Sequence, residues 1–219
     1  SPHLERIEER FTIDGRQCSP EQFAKLVARL RPVVAAMDEE LSRRDPPDIG
    51  PTYFELTTAM ALLHFAEAGV DAAVLEVGMG GRLDSTNVCQ STVSIITSIS
   101  FDHTRQLGDT LAEIAWEKAG IIKSGVPIVS GATAPEAAAV VRRVADERGC
   151  RLVELGRDFE FDYRPPQHLE RTAARGHINF RIGRDAARRE STDMALGLSG
   201  PHQGANAALA LATIDELRR

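Results

Sequence analysis

Val74-Leu75-Glu76-Val77-Gly78-Met79-Gly80-Gly81-Arg82-Leu83-Asp84-Ser85-Thr86-Asn87 sets a short apolar run carrying one carboxylate against a glycine-rich turn. An Arg, an Asp and an Asn fall in the six residues after that turn. An apolar run such as Ala72 to Val77 reads as a buried strand of a parallel sheet. A lone Glu inside such a strand is costly to bury unless something binds it. Ligands of open α/β sheets sit at the carboxyl ends of the strands, where Glu76 and its glycines would lie. The strand thus presents an acidic group to a phosphate or metal site. A structural ion pair with a neighbouring basic side chain is the alternative.

Composition sets outer bounds on this reading. The chain has 219 residues, of which 42% are hydrophobic and 26% charged, the range of a soluble globular protein. That length holds one large domain, or a domain with a small appendage. The formal net charge is -6, which argues against the basic face of a nucleic-acid binder. No apolar run approaches the roughly 18 residues a membrane helix needs, and no signal peptide is visible in the first residues, so neither is expected. Cys18, Cys89 and Cys150 are odd in number and form no CxxC pair. A disulfide framework, a zinc knot and a catalytic thiol are therefore not expected, and a cytoplasmic setting is. The chain opens on Ser1 without a preceding strand or helix and ends at Arg219 within a helical pattern, so a fragment or a trimmed chain is expected.

Working outward from the glycine turn, strands and helices alternate. Residues 10–14 suggest a short strand ending at Gly15. Ser19-Pro20-Glu21-Gln22 is a helix start, with a cap, Pro at the first position and an early acid. Apolar positions at helical spacing carry that helix to about Ser42. Thr52 opens a second helix to about Ala68, with Gly69 at its end and an apolar face that includes Phe54, Ala61, Leu62 and Phe65. Strands are predicted at 93–97, 126–130 and 151–155, with helices at 110–118 and 135–149 between them. This alternation predicts an α/β fold: a mostly parallel sheet with helices on both faces. After Gly156, residues 159–163 and 177–182 alternate apolar and polar, which predicts a small antiparallel flap. An alanine-rich helix then runs from His202 to about Leu217.

Several side chains could carry chemistry. Asp102-His103 follows a strand end, and His is both a common metal ligand and an acid/base group; an ordinary surface His fits equally. Lys118 and Lys123 lie at a helix end, where pairing with the helix dipole accounts for Lys123. A lysine near phosphates can take up carbon dioxide when its amine is neutral, and the carbamate is then an oxygen ligand for Mg2+. Glu76, His103 and such a Lys118 suit a magnesium ion that also binds nucleotide and water. Gly78 to Ser85 lacks the lysine of a phosphate loop. His202, Gln203 and Asn206 open the last helix, facing an anion or simply capping it. His64, His168 and His177 read as core or surface.

Taken together, these segments resemble the folylpolyglutamate synthase and dihydrofolate synthase family of the Mur ligase superfamily. Ser1-Pro2-His3-Leu4 with Glu9-Arg10-Phe11 is similar to its S-P-H-L…E-R-I opening, and Thr52-Tyr53-Phe54-Glu55 to its T-x-F-E helix. Leu75 to Asn87 resembles L-E-V-G-x-G-G-R-L-D-A-T-N, with Ser85 in place of Ala. Residues 96–123 resemble I-T-S-I-x-x-D-H through E-K-A-G-I-x-K, and residues 198–206 resemble L-x-G-x-H-Q-x-x-N.

The resemblance implies a P-loop NTPase-like Mur ligase central domain and an ATP-dependent, ADP-forming ligation of L-glutamate to a folate or dihydropteroate carboxylate through an acyl phosphate. It implies two Mg2+ sites held by Glu76, His103 and a carbamylated Lys118, with Gln203 and Asn206 at the nucleotide. It implies Thr52, Phe54, Arg82, Asp84, Ser1 and His3 on the pterin side. Neither nucleic acid nor membrane is implied as a partner, and the intact enzyme is expected to be a cytoplasmic monomer.

The family's G-T-N-G-K-G-S phosphate loop and C-terminal domain have no counterpart in residues 1–219. These residues are therefore expected to be part of the central ATPase domain, with 157–195 as an antiparallel insertion. The isolated chain is expected to be inactive and, for want of its first strand and helix, prone to associate. A non-catalytic relative that binds a pterin or a protein, or a Mur ligase with another substrate, is the alternative.

Overall fold

The computed structural model describes residues 3–46, 48–166, 175–183 and 188–219, which form two compact units. The first runs to Met79 and includes Asp84–Val88; the second comprises Gly80–Leu83 and Cys89–Arg219.

In the first unit, β1 (Thr12–Ile13) and β2 (Arg16–Gln17) form a hairpin. Its two turn residues, Asp14 and Gly15, have φ of 50° and 74°, the left-handed pair that matches strand twist. α1 (Pro20–Ser42) begins in a capping box: Ser19 Oγ accepts from the Gln22 N–H, and the Gln22 side chain accepts from the Ser19 N–H. α2 (Tyr53–Ala68) begins in the same way from Thr52 and Glu55 and ends at Gly69, at φ 62°. Phe11, Cys18, Leu26 and Met60 form the core of this unit. α2 buries Thr57, Thr58, Met60 and His64, while Phe54, Ala61, Leu62 and Phe65 are only half-buried. The buried face is thus turned from the predicted one, and His64 is a core residue. Ala72–Val77 carries no strand, and Val74 is 96% exposed. A strand is stable only with a ladder to complete its backbone hydrogen bonds, and no such ladder includes these residues among those described.

In the second unit, β3 (Ser94–Ile96), β4 (Ile128–Ser130) and β5 (Leu152–Glu154) form a parallel sheet in the order β3-β4-β5. Between them come the one-turn α3 (Thr104–Leu107), then α4 (Leu111–Ala119) and α5 (Pro135–Glu147). Successive side chains of β4 enter opposite cores, as the two-residue period requires. Ile128 packs with Ile96 among Ala115, Ala119, Ala137, Val141 and Val144 of α4 and α5. Val129 packs with Val153 among Ala208, Leu209 and Ala212 of α6 (Pro201–Leu217). Helices therefore cover both faces of the parallel sheet.

Three further strands, β6 (Phe159–Arg164), β7 (His177–Ile182) and β8 (Arg189–Ala195), form an antiparallel sheet in that order. Phe159, Phe180 and Ile182 join the α6 core. The flap is thus three-stranded. β8 eludes sequence patterning because six of its seven residues are exposed and no apolar alternation marks it. Its pairing is irregular near Asp193, where φ is 55° and Asn179 Oδ1 accepts the Asp193 N–H at 2.9 Å.

Candidate functional site

The glycine turn of the first unit is organised by one carboxylate. Asp84 Oδ2 accepts the N–H groups of Gly78 and Met79 at 3.0 and 3.1 Å. Its Oδ1 accepts from the Thr86 N–H at 2.9 Å and the Thr86 hydroxyl at 2.5 Å. Four donors converge on Asp84, so it closes the loop on itself. Gly78 is needed for a different reason. A Cβ there would stand 2.5 Å from Cζ of Phe54, so the ring lies directly on the loop backbone.

Thr52 is the N-cap of α2, and its hydroxyl and N–H both donate to Glu55 Oε2 at 2.7 Å. The Thr52 hydroxyl, then its N–H, hold the Glu55 carboxyl below the usual carboxylate range. Glu76 is exposed, just before the turn. His3 Nδ1 accepts from Arg10 Nε at 2.8 Å, which leaves Nε2 as the nitrogen carrying the proton in a neutral ring. Ser1 lies outside the described residues, as does His168.

In the second unit, Arg82 and the end of α4 interlock. Arg82 Nε and Nη2 reach the Glu117 carboxylate at 3.0–3.2 Å, and the Arg82 N–H donates to the Glu117 carbonyl at 2.9 Å. Two glycines permit this approach. A Cβ on Gly81 would stand 3.0 Å from the Lys118 carbonyl, and one on Gly120 would strike the Arg82 backbone. Glu117 is therefore a partner of the candidate residue Arg82 that spacing missed: the two lie 35 residues apart, and no local period links them. Lys118 follows it, half-buried.

His103 caps α3 with φ of 49°, an uncommon conformation for a non-glycine residue and one found at functional sites. Its Nε2 stands 3.7 Å from Asp102 Oδ1, with both side chains more than half exposed. Gln203 and Asn206 lie three apart near the start of α6, so they share one side of it. No hydrogen bond or ion pair joins His103, Lys118, Gln203 and Asn206 to one another among the described residues.

Among the described residues, no three His, Cys, Asp or Glu side chains gather into a ready-made metal cage. The donors foreseen from sequence are a carboxylate, an imidazole and a lysine-borne carbamate. They fit Mg2+ that takes its remaining ligands from phosphate and water. They do not fit a closed structural zinc site. Burial pushes the Cys18 thiol up, away from nucleophilic use. No helix among the described residues is long and apolar enough to cross a membrane.

Residues 33–214 match the family model of the Mur ligase middle domain. The chain is 37% identical over 220 residues to the dihydrofolate synthase/folylpolyglutamate synthase of Bacillus subtilis, across 100% of this chain and 48% of that protein. Its fold matches Mycobacterium tuberculosis folylpolyglutamate synthase, solved with ADP and AMPPCP, with a TM-score of 0.85 and 35% identity. That match covers 100% of this chain and 47% of the other. A folylpolyglutamate synthase–AMPPCP–folate complex also gives 0.85, at 32% identity, over 99% of this chain and 49% of that one. The chain thus spans about half the length of each of these relatives.

Proposed function

The chain belongs to the Mur ligase middle-domain family, in its folylpolyglutamate and dihydrofolate synthase branch, and on that premise we propose that it forms the central part of an ATP-dependent ligase. The reaction joins L-glutamate to the carboxylate of a folate or of dihydropteroate and forms ADP. The observation that carries this reading is the match of nearly the whole chain to a solved fold holding both an ATP analogue and folate. The fold is taken as P-loop NTPase-like, with residues 157–195 as an antiparallel insertion.

In the proposed mechanism the substrate carboxylate attacks the γ-phosphorus of ATP, and ADP leaves with the broken P–O bond's electrons. The glutamate amine then attacks the acyl phosphate carbon, loses a proton, and expels phosphate. Such a reaction needs positioning and charge neutralisation more than covalent help from the protein. Glu76, His103 and a carbamylated Lys118 would hold Mg2+, which supplies neutralisation of phosphate charge.

The remaining residues act by placement. Gln203 and Asn206 bind on the nucleotide side. Thr52 ends the pterin wall and also fixes α2 through its capping box. The Phe54 ring, seated on Gly78, offers an aromatic surface to a flat heterocycle. Asp84 acts by shaping the glycine loop, because its oxygens already hold four loop donors. Arg82 is oriented by Glu117 toward the same end of α4 as Lys118. His3 completes the substrate side, with Ser1 before it.

The test is glutamate-dependent phosphate release from ATP by the intact gene product, run separately with dihydropteroate and with a reduced folate. We expect release with at least one of them. Glu76→Ala or Lys118→Ala should lower kcat by about a hundredfold or more, the usual effect of removing one group that stabilises developing charge. A folded wild-type protein that releases no phosphate with either substrate would exclude the proposal.

A further inference from the structure

We propose that Tyr163, on β6, is a positioning residue for nucleotide binding, fixing the first turns of α6 and with them Gln203 and Asn206. This rests on the reading of those two residues as nucleotide-side groups.

The start of α6 is unusual. Its N-cap is Gly200, at φ 125°, and no side chain of its own caps the helix. The Gly200 N–H donates instead to Tyr163 Oη at 2.9 Å, across 37 residues of chain. The ring itself is wedged between glycines. A Cβ on Gly176 would lie 2.6 Å from Tyr163 Cε2 and 2.7 Å from Oη. On the helix side, a Cβ on Gly204 would lie 3.2 Å from Tyr163 Cδ2 and 3.0 Å from Phe161 Cε2.

Glycine is a poor choice inside a helix, so its presence in the second position after His202 has a packing reason. It lets α6 lie flush on β6 at the residue next to Gln203. Hydroxyl and ring thus hold α6 at two points that bracket Gln203. The antiparallel sheet thereby acquires a role in the reaction. It is the bed on which the nucleotide-side helix is registered, and small misplacements of such groups are expensive in rate or affinity.

The experiment uses the intact gene product and separates KM for ATP from kcat and from KM for glutamate. Tyr163→Phe removes the hydroxyl and keeps the ring. Losing one hydrogen bond to a helix cap should raise KM for ATP about three- to tenfold. The kcat at saturating ATP and KM for glutamate should stay within about twofold, since only one binding contact is altered. Gly204→Ala, which pushes the helix off the intact ring, should move the same constant in the same direction. Gln203→Ala tests the underlying reading by itself.

If Gln203→Ala raises KM for ATP while Tyr163→Phe and Gly204→Ala leave it at the wild-type value, the nucleotide-side reading stands and the positioning role is overturned. If Gln203→Ala also leaves it unchanged, the reading of α6 fails, and the inference with it. Tyr163→Phe lowering kcat while leaving KM for ATP unchanged would overturn the inference too, because that is the mark of a smaller folded fraction.

Discussion

Asp84 and Glu117 show how a carboxylate can act through what it holds, the loop backbone for Asp84 and the Arg82 guanidinium for Glu117. Removing the Asp84 side chain frees four loop donors, two of them the N–H groups of Met79 and of Gly78, which lies against the Phe54 ring. Hydrogen bonds to a charged acceptor are stronger than neutral ones, so Asp84→Ala should cost about 2 kcal/mol in denaturant unfolding. Asp84→Asn keeps one acceptor oxygen and should cost less. Equal losses for the two would mean that the loop is held by something else. Gly78→Ala should destabilise by about 1–3 kcal/mol, because its methyl has to displace an aromatic ring. Asp84 was legible in the sequence because it lies inside one dense motif. The Arg82–Glu117 pair was not, because a contact between segments 35 residues apart leaves no local spacing to read.

Elements were legible where their signals are local. Both long helices of the first unit begin where Ser19 and Thr52 announce them, since a capping box is written within four residues. β8 was missed because a sheet edge made by backbone pairing and ion pairs needs no apolar period. Ala72–Val77 has strand composition but no strand, because composition supplies a tendency and a ladder supplies the hydrogen bonds.

The caps also make a prediction about acid. Glu55 and Glu113 are each held below the ordinary carboxylate value of 4.5, first by the hydroxyl of their capping threonine and then by backbone N–H groups. A carboxyl with a lowered folded pKa contributes stability that is present above its unfolded value and lost as pH falls through the folded one. The wild-type unfolding midpoint should therefore drop as pH falls below about 4.5. Thr52→Ala and Thr110→Ala should start lower and fall less steeply over that window. Parallel curves for all three proteins would contradict the assignment.

Across the whole molecule, the parallel sheet was readable from alternation, because short apolar runs between amphipathic helices have few other stable arrangements. The helices on its two faces follow from β4 alone, where Ile128 and Val129 enter different cores. The family was readable for another reason. Gly78 and Gly81 in one of its motifs and Gly120 in another are each demanded by close approach of backbone or ring. In the antiparallel sheet the same kind of close approach is found at Gly176, where a Cβ would meet the Tyr163 ring.

The central claim is that the ligation passes through an acyl phosphate, and it is tested by following oxygen. The substrate carboxylate is labelled with heavy oxygen, the intact gene product is given ATP and L-glutamate, and the phosphate released is examined by mass spectrometry. The account predicts one labelled oxygen in each phosphate, with ADP and a glutamyl product formed in equal amounts. Unlabelled phosphate, or label recovered in AMP, would contradict it.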